Sequence, residues 1–186
     1  MSNGKAIGAI EFSSIGLGYM AQDEMLKAGS VNQLIARTIC SGKYLVVVGG
    51  SVGDVEASIK AGLEYGSSAV IDYLLIPNVH ESVFAALGQS VVLNDDDADA
   101  MGVIETFSGV SIIAAADCAA KAARVTIFRI HVAMALGGKG LMLMTGSVAD
   151  VRAGVEAAAE EARERGMLVS EVVLPRPSKE LFGDYL

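Results

Sequence analysis

The chain contains the same sequence unit twice, and this duplication constrains its fold more than any other feature. Residues 7–11 recur in similar form as residues 101–105, and residues 50–55 recur as residues 146–151. The first match has an offset of 94 residues and the second an offset of 96, so the later copy carries two extra residues in a loop between them. Matches that keep their order across a whole unit indicate two tandem domains of one fold.

The duplication sets the predicted domain boundaries. We predict a first domain at residues 5–88 and a second domain at residues 100–186. The segment 89–99 between them contains four aspartates and is predicted to be an acidic, solvated linker rather than a metal site.

Each copy has the element order β-α-β-β-α-β, which is the ferredoxin-like split unit of an α+β fold. In the first copy, short apolar runs predict strands and a Cys-Ser-Gly segment predicts a hairpin turn. Ser51 followed by Asp54 predicts a helix N-cap, and the Gly49-Gly50 pair is expected to end the preceding strand. The predicted strands are 6–12, 31–39, 43–48 and 69–76. The first predicted helix is 18–28, and the second has an apolar stripe of Val52, Val55, Ile59 and Leu63.

The composition is apolar for a chain that shows no membrane segment. Hydrophobic residues make up 52% of the chain and charged residues 19%, against about 25% charged residues in an average soluble domain. No run of roughly 20 uncharged apolar residues occurs, and the N-terminal apolar run is too short for a signal peptide. We therefore expect a cytoplasmic protein that buries apolar surface between subunits.

Charge and motif content exclude several function classes. A net charge of −8 argues against a nucleic-acid partner. Two cysteines cannot form a disulfide framework. Neither a nucleophile triad, a phosphate loop nor zinc-ligand spacing occurs, so we expect a protein that is not an enzyme. Glu11 and Glu105 occupy matching places in apolar strands and are predicted to be buried acids with hydrogen-bond partners.

The repeated motifs resemble the bacterial microcompartment shell domain. The resemblance rests on residues 7–11, 23–27, 50–55 and 174–177 and on the doubling of their order. It implies two unpermuted shell domains per chain and a homotrimer with pseudohexameric symmetry. It also implies a tile that joins other shell proteins in the shell of a microcompartment in the cytoplasm.

The resemblance assigns four residues to the edges of the tile. Lys27 and Lys121 match a lysine that packs against a neighbouring tile, and Arg176 matches a second edge position. In the first copy, Asn78 occupies the position that matches Arg176, so the first copy lacks that arginine. From the residues alone, each lysine is equally well read as a solvated cation at a helix end.

The resemblance also places the hairpin turns at a central pore. Cys40 in the first turn is similar to a cysteine of one tandem type of shell protein, from propanediol-utilising microcompartments. In that type, three subunits hold one 4Fe–4S cluster, which implies electron transfer across the shell and an encapsulated redox enzyme as a possible partner. Lys43 is expected to offset the charge of the cluster. The predicted pore-lining residues are Ile39, Cys40, Ser41, Gly42, Met134, Ala135, Leu136, Gly137 and Gly138.

Other interpretations stay open on the sequence. A lone cysteine beside a strand is commonly a small buried hydrophobe. The tile could carry no cluster and pass metabolites through its pore, or tandem ferredoxin-like domains could form a regulatory ligand-binding protein. Cys118 lies within a predicted helix and is interpreted as structural. His131 is predicted either to face the pore or to be a satisfied strand histidine, and His80 to lie at the surface or an edge.

Overall fold

The computed structural model describes residues 5–93, 99–132 and 135–183. Within them the chain forms two compact units. The first contains residues 5–79 and 135–138, and the second contains residues 80–93, 99–132 and 139–183.

The first unit is a four-stranded antiparallel sheet with two helices. Its strands are β1 (Ala6–Phe12), β2 (Asn32–Ile39), β3 (Lys43–Gly50) and β4 (Val70–Ile76), and its helices are α1 (Ile15–Ala28) and α2 (Val52–Tyr65). The sheet order is β2-β3-β1-β4. Strands β1 and β3 lie at the centre and are buried along their length, as expected for strands paired on both sides.

The apolar core of this unit fills the space between the helices and the sheet. Ile10 and Phe12 from β1, Val46 from β3, Met25 from α1 and Ile59 from α2 belong to one buried cluster. Serines begin both helices, because Ser14 Oγ accepts from Leu17 N–H at 3.3 Å and Ser51 Oγ accepts from Asp54 N–H at 3.3 Å. The predicted N-cap at Ser51 is confirmed.

The second unit repeats this arrangement. It consists of α3 (Glu81–Leu87), β5 (Ala100–Thr106), α4 (Gly109–Ala122), β6 (Thr126–Val132), β7 (Gly140–Gly146), α5 (Val148–Glu164) and β8 (Leu168–Leu174). The sheet order β6-β7-β5-β8 is that of the first unit. The predicted α+β class, with two β-α-β-β-α-β units in unpermuted order, is confirmed.

None of the described residues of the first unit forms a helix that corresponds to the short helix α3. It packs against β6 and α4, and Val83 and Ala86 on α3 are fully buried. As a result, α4 is buried along most of its length, whereas α1 buries only Gly18, Ala21 and Met25.

The predicted end of β3 at Val48 is wrong. The strand continues through Gly49 and Gly50, which pair with Ile7 and Ala6 of β1. Glycine does not end a strand whose backbone is held by a neighbouring ladder, and the side chain of Leu34 lies within 3.2 Å of a Cβ built at Gly49. The lack of a side chain therefore leaves room for Leu34.

Two details of the predicted helices also differ. Helix α1 begins at Ile15 rather than at residue 18, because Ser14 provides the N-cap. In α2, Val52 is 45% exposed and is not part of the apolar face. The buried face is formed by Val55, Ser58, Ile59 and Gly62, and Val52 is the first residue of the helix. None of the helices in the described parts of the chain is long and apolar enough to cross a membrane.

Candidate functional site

The turn between β2 and β3 is a tight turn that presents Cys40. Residues Cys40–Gly42 form one 3-10 turn, in which Ser41 has a φ of 67° and Gly42 a φ of 71°. Two successive left-handed residues reverse the chain within three residues, and Gly42 meets this requirement without strain. The Cys40 thiol is free and half-buried, whereas the neighbouring Ile39 is buried.

The sulfur of Cys40 accepts a hydrogen bond from the backbone of a distant turn. Ala135 N–H donates to Cys40 Sγ at 3.0 Å. This hydrogen bond is the main cause that lowers the pKa of the Cys40 thiol below its usual value. Partial desolvation opposes it, and the N–H groups of residues 136–138 add to it. The surroundings of Cys40 therefore favour the thiolate, the form of cysteine that binds metals.

Residues 135–138, which include the donor Ala135, form a turn of the second repeat but pack with the residues of the first unit. Ala135, Gly137 and Gly138 have φ values of 58°, 63° and 89°. Ser41 Oγ donates to Gly137 O at 3.4 Å, and a Cβ built at Gly138 would lie 3.4 Å from Cys40 O. Of the predicted pore residues, the structure thus brings Cys40, Ser41 and 135–138 together; Met134 lies outside the described residues.

The two predicted buried acids are each paired with the lysine that follows a hairpin turn. Glu11 has a fully buried side chain, and its Oε1 lies 2.7 Å from Lys43 Nζ. Glu105 lies 2.6 Å from Lys139 Nζ and accepts from Ser170 Oγ at 3.1 Å. The predicted hydrogen-bond partners are confirmed for both acids, although the Glu105 side chain is 29% exposed. Since the Lys43 ammonium is bound to Glu11, its charge is already largely balanced.

The two predicted edge lysines have different surroundings. Lys27 pairs with Asp23 at 2.5 Å and Glu24 at 3.1 Å, all on exposed α1. Lys121 pairs at 2.5 Å with Asp117, whose side chain is only 7% exposed. Asp117 Oδ1 also accepts from the N–H of His80 at 2.7 Å, at the start of α3.

The remaining predicted residues lie on the surface or within elements. Asn78 and Arg176 are exposed, and both follow the last strand of their copy. His80 is exposed and caps α3, while His131 lies half-buried in β6 opposite Leu141. The contact between Cys40 and the second turn was not predicted, because nothing in the spacing of residues 95 apart signals it.

Cys118 has the opposite environment to Cys40. It lies half-buried in α4 and its Sγ is 3.8 Å from Glu161 Oε2. Burial, with added repulsion from the carboxylates of Glu161 and Asp117, raises the pKa of its thiol to about 11. Cys118 is therefore poorly suited to hold a metal.

A single chain offers one suitable thiolate. Among residues 5–93, 99–132 and 135–183, no three His, Cys, Asp or Glu side chains are grouped so that they could hold a metal ion. Any cluster bound at Cys40 would take its further ligands from outside these residues. Cys40 itself fits such a role, because its sulfur is accessible and its thiolate is favoured.

Comparison with known proteins supports the fold assignment. The BMC domain matches residues 6–79 and again residues 100–177. The chain belongs to the BMC domain family. It is 42% identical over 178 residues to the bacterial microcompartment shell protein PduT of Citrobacter freundii, with 96% of both chains covered. The resemblance to tandem shell proteins is thereby confirmed.

Two further comparisons agree. One repeat is 40% identical over 83 residues to the microcompartment shell protein EutM of Salmonella typhimurium, which covers 45% of this chain and 84% of EutM. A crystal structure of a microcompartments protein from Desulfitobacterium hafniense has a TM-score of 0.85 and 43% identity, with 95% of this chain and 97% of that chain covered. The chain is a structural shell protein of a microcompartment, and the predicted location in the shell is confirmed.

Proposed function

We propose that this shell protein is a homotrimeric tile whose three Cys40 thiolates hold one 4Fe–4S cluster and so pass electrons across the shell. The proposed cluster is supported by one observation. The sulfur of Cys40 is half-buried at a turn and accepts a hydrogen bond from the Ala135 N–H at 3.0 Å. The cluster depends on the trimer, because each chain supplies one suitable thiolate.

The two repeats differ in the burial of matching side chains, and this difference supports a trimer. In the second unit, α3 packs against α4 and β6, Ile113 of α4 is buried, and Phe128 of β6 packs in a buried cluster with Leu93 and Phe182. At the matching places of the first unit, Tyr19 is 58% and Leu34 is 42% exposed. Matching side chains are therefore buried in one copy and exposed in the other, and the exposed ones on α1 and β2 make up the bare surface of the first unit.

A second copy of the chain is the partner that the duplication predicts for the bare surface. The exposed apolar residues of α1 and β2 include Met20 at 45% and Leu26 at 40%, and Val172 on β8 is exposed as well. A head-to-tail contact between copies closes into a ring, and a ring of three gives six domains. Each contact would remove these side chains from water, a gain of about 1.5–3 kcal/mol for each large side chain.

The trimer is tested by placing a charge on this surface. Met20→Asp should raise the dissociation constant of the trimer by at least about 100-fold, because about 3 kcal/mol is lost when a buried methionine becomes an unpaired charge. Tyr65→Asp, at an exposed tyrosine at the end of α2, is the matched control. Sedimentation velocity should show trimers for the control and monomers for Met20→Asp at micromolar protein. A monomeric wild-type protein, or a trimeric Met20→Asp protein, would contradict the proposed surface.

A threefold axis turns one suitable thiolate per chain into three. A 4Fe–4S cluster is usually held by four ligands, so one further ligand has to come from water or a partner. When bound, the cluster would exchange single electrons, for which an encapsulated redox enzyme is the proposed partner. Ser41 and Gly42 would approach it closely because of their left-handed backbone.

Anaerobic reconstitution with iron and sulfide tests the cluster. The wild-type protein should become brown and carry four iron atoms per three chains. Cys40→Ser should stay colourless, and Cys118→Ser should behave like the wild type because burial and the neighbouring carboxylates raise the pKa of the Cys118 thiol to about 11. Colourless wild-type trimers would exclude the cluster and leave a tile whose central opening passes metabolites.

A further inference from the structure

The second repeat contributes to the Cys40 site although it carries no cysteine in its own turn. Ala135 N–H points at Cys40 Sγ at 3.0 Å, and Ser41 Oγ donates to Gly137 O at 3.4 Å. Resting on the proposed function, we propose that residues 135–138 are a positioning element that holds the Cys40 sulfur by backbone hydrogen bonds and raises the reduction potential of the cluster.

The turn at residues 135–138 presents backbone N–H groups towards the Cys40 sulfur. Ala135, Gly137 and Gly138 have positive φ values, and turns with such a backbone can offer N–H groups to an anion. Ala135 has a strained backbone in this turn, since a left-handed conformation of alanine costs of order 1 kcal/mol of conformational free energy. This backbone brings the Ala135 N–H to 3.0 Å from Cys40 Sγ.

The packing of the two turns fixes this arrangement. A Cβ at Gly138 would lie 3.4 Å from both Cys40 O and Lys43 Nζ, so Gly138 allows the second turn to lie against the first. Lys43 is in turn held by the buried side chain of Glu11 at 2.7 Å. Glu11 and Lys43 thus form an ion pair beside the second turn. This ion pair does not depend on a bound metal.

Hydrogen bonds to cluster sulfurs are one of the factors that set the potential of a cluster. A donor stabilises the reduced cluster more than the oxidised one, because the reduced cluster carries one more negative charge. Loss of the Ala135 donor should therefore lower the potential. A tenfold change in the ratio of oxidised to reduced cluster at a fixed ambient potential corresponds to about 59 mV for a one-electron couple.

The experiment compares three changes at residue 135 in the full-length protein. Ala135→Pro removes the N–H but also forces φ from 58° to about −65°, so the ester variant below decides the test. Ala135→Gly keeps the N–H and suits the left-handed backbone, so it is the matched control. Replacement of Ala135 by lactic acid exchanges only N–H for an ester oxygen, and it serves where Ala135→Pro does not fold. Reconstituted trimers are titrated electrochemically and followed by electron paramagnetic resonance.

The expected result is a tenfold shift towards the oxidised cluster in the variants without the donor, and no shift for Ala135→Gly. Equal potentials in the wild type, the ester variant and Ala135→Gly would overturn the proposal while leaving the cluster in place. A wild-type protein that takes up no cluster overturns the proposed function and, with it, the effect on the potential.

A second arm needs no metal and tests the positioning alone. In apo trimers, amide hydrogen exchange at Ala135 should be about tenfold faster in Cys40→Ala than in the wild type, because the acceptor is gone. Cys40→Ser retains an acceptor and should retain part of the protection. Identical exchange in wild type and Cys40→Ala would show that Ala135 does not hold the sulfur, whatever the fate of the cluster.

Discussion

Gly8 lies in the buried central strand β1, directly beneath helix α2. A Cβ built there would be 2.6 Å from Ile59 Cγ1 and 2.8 Å from Val55 Cγ1. Ordinary contacts between carbon atoms begin near 3.4 Å, so both side chains must move by roughly 0.6–0.8 Å in a close-packed core. Gly102, at the matching place in the second unit, is also crowded by its helix, with Val155 Cγ2 of α5 at 2.8 Å and Val151 Cγ1 at 3.0 Å. The close approach of helix and strand is thus a property of the repeated unit.

Gly8→Ala should destabilise the fold through overpacking. Inserting a methyl group into a well-packed core costs about 1–3 kcal/mol, and the lower entropy of the unfolded alanine chain recovers about 0.4–1 kcal/mol. The net loss of about 1–2 kcal/mol corresponds to a melting temperature lowered by roughly 2–8 °C for a chain of this size.

Gly53→Ala is the matched control, because Gly53 is exposed on the same helix and a Cβ there meets nothing within 4 Å. It should leave the stability unchanged or raise it by up to about 1 kcal/mol, since alanine favours a helix. Calorimetry and urea unfolding on both variants measure the difference. A Gly8→Ala protein as stable as Gly53→Ala would refute the packing of β1 against α2.

Three further predictions concern charged and thiol groups. Hydrogen bonds from Lys139 and Ser170 hold the pKa of Glu105 below its usual 4.5, so its stabilisation is complete above that pH and is lost as the pH falls through the lower folded value; the wild type should lose stability faster than Glu105→Gln between about pH 5 and 3 in acid unfolding curves. Mass spectrometry after brief iodoacetamide treatment at neutral pH should find Cys40 alkylated before Cys118, and the reverse order would contradict their environments. Asp117→Ala should cost about 1–3 kcal/mol in urea unfolding because it removes the nearly buried carboxylate that accepts from the His80 N–H at the start of α3, whereas Asp23→Ala on exposed α1 should cost no more than about 0.5 kcal/mol; equal losses would show that α3 does not depend on Asp117.

The fold was predictable because the duplication reports the same pattern twice. Ser51 and Ser147 begin matching helices, and both serines accept from the N–H group three residues later. The need of Glu11 and Glu105 for hydrogen-bond partners was recognisable for the same reason, since an acid that recurs in an apolar strand needs a partner, although Glu105 is only partly buried. Local patterns of this kind depend on neighbouring residues and are visible in the sequence.

The features that escaped prediction depend on tertiary contacts. The continuation of β3 through Gly49 and Gly50 depends on pairing with β1, which overrides the tendency of glycine to end strands. The covering of α4 by α3 and the contact of Ala135 with Cys40 join segments far apart in sequence. The sequence contains one signal for the bare surface. Tyr19 and Leu34 match Ile113 and Phe128 of the second copy, and large apolar side chains at matching positions of a repeated fold indicate a surface that becomes buried.

The edge roles of Lys27, Lys121, Asn78 and Arg176 stay predictions from the resemblance. Their surroundings make the two edges chemically different, because the ammonium of Lys121 is tied to nearly buried Asp117 and that of Lys27 to exposed carboxylates. Electron microscopy of sheets formed by Lys27→Ala and by Lys121→Ala measures each edge separately.

Native mass spectrometry of the anaerobically reconstituted protein tests the central claim most directly, because one spectrum reports both the number of chains and the bound cluster. We expect three chains with the added mass of one 4Fe–4S cluster for the wild-type protein, and three chains with no added mass for Cys40→Ser. Iron and sulfide retained by Cys40→Ser trimers, or a cluster bound to single chains, would contradict it.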